Sequence, residues 1–164
     1  MWAEEEVMSS GCKYCILRIA SPFRAYFPPK MDKVRKIIEG IKNSTLPPMF
    51  VDQVITPTFI DDIALGVRMI STKKPQGVFH LVGSTSLSPY LLACKICDVF
   101  GFNRNLIKRG SLARYLAENP TARPFQKNLS LSNEKIKKIG VKMNEIDRAL
   151  TILKDQIDKL LAIS

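Results

Sequence analysis

Three carboxylates, Asp52, Asp61 and Asp62, fall within the stretch FVDQVITPTFIDDIALGVRMI at residues 50–70. Adjacent carboxylates can divide into a general acid and a general base when their surroundings push their pKa values apart. At a helix start the same pair does something else: a carboxylate there meets free N–H groups and the positive dipole end. Ile63, Val67 and Ile70 recur at helical spacing directly after the pair. A helix is therefore expected from about Asp62 to Ile70, with Asp61 or Asp62 as its cap. Attention then moves upstream to Gln53 and Thr56-Pro57-Thr58, where Pro57 fixes its own φ and restricts Thr56 to extended geometry.

The four cysteines form two C-x-x-C pairs, Cys12/Cys15 and Cys94/Cys97. Two such pairs can make a tetrahedral zinc site. Here 78 residues separate them. Cys12 and Cys15 enter an extended run, where an odd separation points side chains to opposite faces. Cys94 and Cys97 lie in a helical pattern, with Cys97 beside the apolar arc and Cys94 on the polar side near Asp98. The expectation is reduced thiols and no metal. His80 is the only histidine and sits in a strand pattern, where a packed, hydrogen-bonded role is expected. Tyr14, Tyr26, Tyr90 and Tyr115 read as packing side chains with a polar tip.

Composition bounds what these residues can serve. A chain of 164 residues with 46% hydrophobic and 24% charged content fits one ordinary soluble domain. No apolar run reaches the roughly 18 residues that span a bilayer. Residues 1–6, MWAEEE, resemble neither a signal nor a transit peptide, so a cytoplasmic location is expected and a membrane is not. The net charge of +10 is concentrated in residues 101–142, which hold ten Lys/Arg against Glu118 and Glu134. A solvated basic surface is the simplest reading, and a phosphorylated small ligand would suit the charge. A basic nucleic-acid-binding protein is a remote alternative, without an aromatic-rich basic motif or zinc finger to support it. Asn43-Ser44-Thr45 and Asn128-Leu129-Ser130 fit glycosylation sequons but carry no weight without a secretion signal.

The elements that must position these residues follow from periodicity and punctuation. AEEEVMSSG reads as the end of a helix closing at Gly11. KYCILRIA (13–20) and GVFHLVGS (77–84) read as short buried strands of a parallel sheet. DKVRKIIEGIKN is an amphipathic helix with Val34, Ile37, Ile38 and Ile41 on one face. MFVDQVITP reads as extended, in two short strand pieces. SPYLLACKICDVFGF is a helix with Ser88 as N-cap, Pro89 at its first position and Gly101 as stop. Residues 105–128 carry a short extended piece and a short helix. Ser132 is expected to cap NEKIKKIG, and Asn144 a last helix striped by Ile146, Leu150, Leu153, Ile157 and Leu160. The fold class is thus α/β. Two convincing core strands are too few for a parallel sheet buried on both faces, so the chain looks like part of a larger domain.

Four stretches in order, ILRIASPFR, DQVITPTFIDDIA, GVFHLVGSTSLSPYLLACKI and RPFQKNLSLSNEKIKKIG, resemble the C-terminal half of the extended short-chain dehydrogenase/reductase family. The nearest branch is similar to the dTDP-4-dehydrorhamnose reductases and their substrate-binding domain. The resemblance runs from about Ala3 to Leu153. It implies the C-terminal part of a Rossmann-like NAD(P)-binding fold plus a small α/β substrate-binding subdomain, lacking the Gly-rich N-terminal half. Segments 3–30 and 61–101 would belong to the cofactor-fold side, and 31–60 and 102–161 to the substrate subdomain, within one partial domain over 1–164. It implies a nucleotide-sugar substrate, with Ser21, Phe23, Gln53, Thr56, Pro57, Thr58 and Arg123 as substrate-side residues. Ala20 and Ser21 would form the loop facing the nicotinamide of NAD(P).

The departures from the family shape the expected function. The family's Gly-rich turn, whose N–H groups hold the dinucleotide pyrophosphate, does not occur here. Its Tyr-x-x-x-Lys pair would precede AEEEV, which puts Met1 at about the lysine. The Phe23-Arg24 that follows Ser21-Pro22 departs from the branch's usual aromatic and Tyr-Gly. The expectation is the substrate-binding half of a sugar-nucleotide reductase or epimerase, inactive alone. It is either a truncated frame or the complement of a separate N-terminal half or partner subunit. The alternative is a non-catalytic, reductase-like regulatory module.

Overall fold

A computed structural model describes residues 2–26 and 28–162; Met1, the residue expected near the missing lysine, lies outside them. Helix α1 (Trp2–Ser9) buries none of its residues. Strand β1 (Cys15–Arg18) pairs in parallel with β6 (Gly77–His80), from Cys15 opposite Gly77 to Arg18 opposite His80. These are the two strands expected from sequence, and they form a two-stranded sheet. Strand β1 is half-buried rather than buried, with Arg18 exposed, and β6 is its one neighbour in the sheet.

Three shorter parallel pairs continue the architecture. They are β2 (Pro22–Phe23) with β5 (Thr58–Phe59), β3 (Met49–Phe50) with β7 (Arg109–Gly110), and β4 (Val54–Ile55) with β8 (Asn128–Leu129). Each pair joins segments far apart in sequence. The piece 49–59 therefore acts as a spine, pairing in turn with 109–110, 128–129 and 22–23.

Helix α2 (Lys33–Lys42) starts at Asp32, whose carboxylate accepts from Arg35 N at 3.0 Å, and it buries Val34, Ile37, Ile38 and Ile41. Helix α4 (Pro89–Phe100) begins at Ser88, which accepts from Leu91 N, and stops at Gly101 in the left-handed region, φ 75°. Helix α7 (Ile146–Leu161) buries Ile146, Leu150 and Leu153, whereas Leu160 is exposed. These helices enclose the larger core, which also contains Phe23, Ile55 and Phe59. A smaller core gathers Ile63 and Ile70 of α3 (Ile60–Lys73), Phe79, Leu81 and Ile136 of α6 (Glu134–Lys138). Of the segments expected on the cofactor-fold side, β1, β6 and α3 share the smaller core, while α4 packs against α2 and α7.

Three expected caps differ. Helix α3 starts earlier and runs later than expected, its N-cap position is Phe59, and no side chain caps it. Helix α7 starts at Glu145 rather than Asn144, because Asn144 is drawn onto Asp62. The N-cap position of α6 is Asn133, whose side chain instead donates to Val82 O and Gly83 O; the Ser132 hydroxyl accepts from Glu134 N at 3.3 Å. At Asn144 a tertiary partner outbids the local one, whereas the Ser132 hydroxyl keeps a local partner.

Candidate functional site

Local chemistry places Asp61 and Asp62 in the first turn of α3, where their charge suits the dipole. Asp62 is buried and accepts from Asn144 N at 2.9 Å and Asn144 Nδ2 at 2.6 Å. Burial raises its pKa, against those two hydrogen bonds, and the Asp61 charge raises it further. Asp61 accepts from Gln156 Nε2 at 2.6 Å. The pair thus ties α7 and its entry onto α3.

Asp52 is the carboxylate that serves the opposite end of the spine. It accepts from Leu112 N at 2.7 Å, Ala113 N at 3.1 Å and Ser111 Oγ at 2.8 Å. Ser111 Oγ in turn accepts from Arg114 N at 3.3 Å. The free N–H groups of the first turn of α5 (Leu112–Glu118) are therefore satisfied by two side chains. The hydrogen bond from Leu112 N, with those from Ala113 N and Ser111, holds the Asp52 carboxyl at about 2, below its usual 3.8. A folded-state pKa below the unfolded one stabilises at higher pH and is lost as pH falls. The α5 start is therefore expected to stay intact from neutral pH down to about 4 and to loosen as pH falls through about 2. The Leu112 and Ala113 amide shifts should follow that midpoint; a midpoint at the ordinary carboxylate value would disprove it.

Between α2, β3 and α5 lies a cleft of about 1230 Å³. That exceeds the roughly 300–1,000 Å³ of ordinary small-ligand sites. Its apolar lining includes Pro47, Pro48, Met49, Phe50 and Ile55, together with the rings of Tyr115 and Phe125. Their rings form a chain, Phe50 to Tyr115 at 5.7 Å and Tyr115 to Phe125 at 6.4 Å between centroids. Four cations line it, Lys33, Lys36, Arg109 and Arg114, against one carboxylate, Glu118. Glu118 pairs with Arg114 at 2.6 Å. Arg109 lies 5.0 Å over the Tyr90 ring, which orients the guanidinium. Lys33 is exposed as a residue, but the atoms crowded around its ammonium lower its pKa.

The expected substrate-side residues divide into two groups. Ser21 and Gln53 line this cleft. Phe23, Thr56, Pro57 and Thr58 are buried behind it. Phe23 packs on Phe59 with centroids 5.4 Å apart. Thr56 shares a hydrogen bond with Ser86 Oγ at 2.8 Å and accepts from Leu131 N at 3.0 Å. Thr58 Oγ1 donates to Ala20 O at 2.7 Å, and Thr58 N donates to Ser21 O at 3.1 Å. Thr58 thereby holds the Ala20–Ser21 loop, where Ser21 adopts φ 44°. Arg123 is exposed and is not among the residues lining the cleft.

Lys33, Lys36, Arg109, Tyr115 and Phe125 are cleft residues that sequence reading missed. Lys33 and Lys36 sit on the polar face of an amphipathic helix, where a lysine ordinarily means solvent. Arg109 and Arg114 were visible only as part of the basic excess in 101–142. The rest of that excess goes elsewhere: Lys135 donates to Val78 O at 2.7 Å and lies 4.4 Å over the Phe79 ring.

The remaining candidates fall outside the cleft. Cys12 is exposed, Cys15 half-buried, and both Cys94 and Cys97 are buried, all as free thiols. Cys94 was expected on a polar side; it is buried. Burial raises the pKa of Cys97 and Cys15. No group of three or more metal-ligating side chains occurs among the described residues. His80 Nδ1 lies 3.2 Å from Ser132 O. Tyr26 and Lys30 have the Tyr-x-x-x-Lys spacing, which the sequence reading passed over. Pro28 and Pro29 between them exclude the helical turn that would bring the two side chains together, and Tyr26 is 65% exposed.

The family described as the RmlD substrate binding domain matches residues 1–158. The chain belongs to that family. A probable low-salt glycan biosynthesis reductase of Haloferax volcanii is 30% identical over 86 residues, 52% of this chain and 28% of that protein. The fold is shared with a dTDP-4-dehydrorhamnose reductase from Bacillus anthracis in complex with NADP. The TM-score is 0.77 at 19% identity, covering 93% of this chain and 51% of that one. A dTDP-4-dehydrorhamnose reductase from Clostridium acetobutylicum gives 0.76 at 24% identity, covering 94% and 52%. A UDP-N-acetylglucosamine 4-epimerase from Methanobrevibacter ruminantium in complex with UDP-N-acetylmuramic acid gives 0.68 at 19%, covering 96% and 50%. This RmlD-type domain thus spans about half the length of these solved relatives. Its parallel strands and helices resemble the C-terminal part of Rossmann-like reductase and epimerase folds.

No Gly-x-x-Gly-x-x-Gly occurs in the sequence. The helix that follows β6 has its first turn closed by its own Ser88 hydroxyl. The residues present fit the substrate side of a site, and no hydride-transfer step is assigned to them. No helix among the described residues is long and apolar enough to cross a membrane.

Proposed function

We propose that this chain is the substrate-binding half of an NAD(P)-dependent sugar-nucleotide reductase or epimerase, and that the cleft beside α5 takes the nucleotide sugar. The observation that carries this is the excess of four cations over one carboxylate around an apolar, aromatic cleft. Lys33, Lys36 and Arg109 suit the diphosphate, for which a guanidinium offers a fork of donors. Tyr115 and Phe125 suit a planar base. Ser21 and Gln53 face the sugar, and Phe23, Thr56, Pro57 and Thr58 hold that wall from behind. Arg123, two residues before Phe125, adds a further cation at the approach.

In this proposal the chain alone transfers no hydride and binds NADPH weakly or not at all. The dinucleotide half comes from a preceding segment or a separate polypeptide, and the assembled enzyme works in the cytoplasm. Titration calorimetry with dTDP and with NADPH tests it. Saturable dTDP binding without NADPH binding is expected. Absent dTDP binding, or micromolar NADPH affinity, would overturn it. Arg109→Ala is expected to weaken dTDP binding about tenfold, the loss of one charge-assisted hydrogen bond. An unchanged dissociation constant would remove Arg109 from the site.

A further inference from the structure

The two walls of the cleft that carry Tyr115 and Phe125 have little packing of their own. Helix α5 is seven residues long and buries only Leu112. A helix that short is not stable on its own. The facing segment, residues 123–129, is exposed throughout. Yet both walls carry cleft residues, Arg114 and Tyr115 on α5, Phe125 and Leu129 on the other. Something besides the core must set their spacing.

Two consecutive residues do so. Asp52 holds the start of α5 through Leu112 N, Ala113 N and Ser111 Oγ. Gln53, only 3% exposed, donates from Nε2 to Gln126 O at 3.0 Å. That bond lies next to Phe125 and continues the ladder in which Val54 N donates to Lys127 O at 2.8 Å and β4 pairs with β8. The ring chain Phe50–Tyr115–Phe125 closes the loop, running from the spine two residues before Asp52 to one wall and then to the other.

We propose that the Asp52–Gln53 dipeptide is a double positioning clamp, which holds α5 with one side chain and the 125–129 segment with the next, at the separation that encloses the ligand. This rests on the cleft being the nucleotide-sugar site. Neither residue donates or receives a proton in any reaction; whatever Gln53 also offers the sugar, their effect on dTDP, which carries no diphosphate-linked sugar, acts through Arg114, Tyr115 and Phe125. The physical return is preorganisation: walls ordered before binding need not be ordered by it.

The test uses the full chain with dTDP as probe. Asp52→Asn leaves one acceptor oxygen for three donors and Gln53→Met removes its bond, with volume nearly kept in both. Each is expected to weaken dTDP binding about fivefold, the change that loss of one helix cap produces in an equilibrium constant. Amide exchange should quicken at Leu112 and Ala113 in D52N, and at Asn128 and Leu129 in Q53M, each leaving the far wall less affected. A merely structural role would lower the unfolding midpoint without altering the affinity of the folded protein or the local exchange pattern, and that result would overturn the clamp. If one variant does not fold, the other decides by the same two readings, since they act on separate walls. If the unsubstituted chain does not bind dTDP, the nucleotide-sugar reading fails, and the exchange pattern alone decides whether the clamp exists.

Discussion

Gly83→Ala is expected to destabilise the chain by about 3 kcal/mol or more, the upper range for overpacking a buried site. A Cβ at Gly83 would lie 2.2 Å from Pro57 O. The obstruction is backbone, and it cannot swing aside. Pro57 has a fixed φ, and the next residue, Thr58, is held in β5 by its pairing with Pro22 and by its bonds to Ala20 and Ser21. Gly66 offers a contrast, since its Cβ would meet Leu81 Cδ1 at 2.6 Å, the end of a side chain that can turn. Gly101 offers another: it has a positive φ and open space, so Gly101→Ala should cost only about 1 kcal/mol through backbone strain. Urea midpoints for the three variants should rank Gly83 well below the others. A Gly83→Ala midpoint within error of the parent would show that the spine moves freely there.

Thr58→Val is expected to cost about 3 kcal/mol, although it preserves shape. Thr58 is fully buried, and its hydroxyl donates to Ala20 O while accepting from Gly83 N at 3.2 Å. Valine would leave a carbonyl and an N–H without these partners in a place that water does not reach, at about 1–3 kcal/mol for each. Thr58→Ser retains the hydroxyl and removes one methyl, so about 1 kcal/mol is expected from it. The difference between the two variants in equilibrium unfolding isolates the hydroxyl. Equal losses would mean that packing, not hydrogen bonding, fixes the junction. The consequence reaches the cleft, because Thr58 holds the loop from which Ser21 lines it. Gly83 and Thr58 share partners, so their effects will not add.

The periodic elements were legible in the residues alone. Val34, Ile37, Ile38 and Ile41 all bury one face of α2, and Ser88, Pro89 and Gly101 bound α4 as their types require. These features need only a few neighbours along the chain. Residues 49–57 were legible as extended, in two short pieces, but their pairing was not, because two-residue strands such as β3 and β4 take their register from partners more than fifty residues away. The cap at Asn144 was misread for the same reason: its amide found a carboxylate elsewhere in the fold. Of the cleft, Ser21 and Gln53 were visible through the family resemblance, whereas Lys33 and Arg109 looked like ordinary surface charge.

What the sequence by itself determined was the α/β class, the faces of the long helices, the RmlD-type family and the scarcity of core strands. Each is encoded in spacing or in residue types that act locally. Only the tertiary structure decided what the carboxylates do. Asp61 and Asp62 hold α7 against α3, while Asp52 closes the start of α5 sixty residues away. A carboxylate's task depends on which donors the fold brings within about 3 Å of it, and no spacing along the chain specifies that.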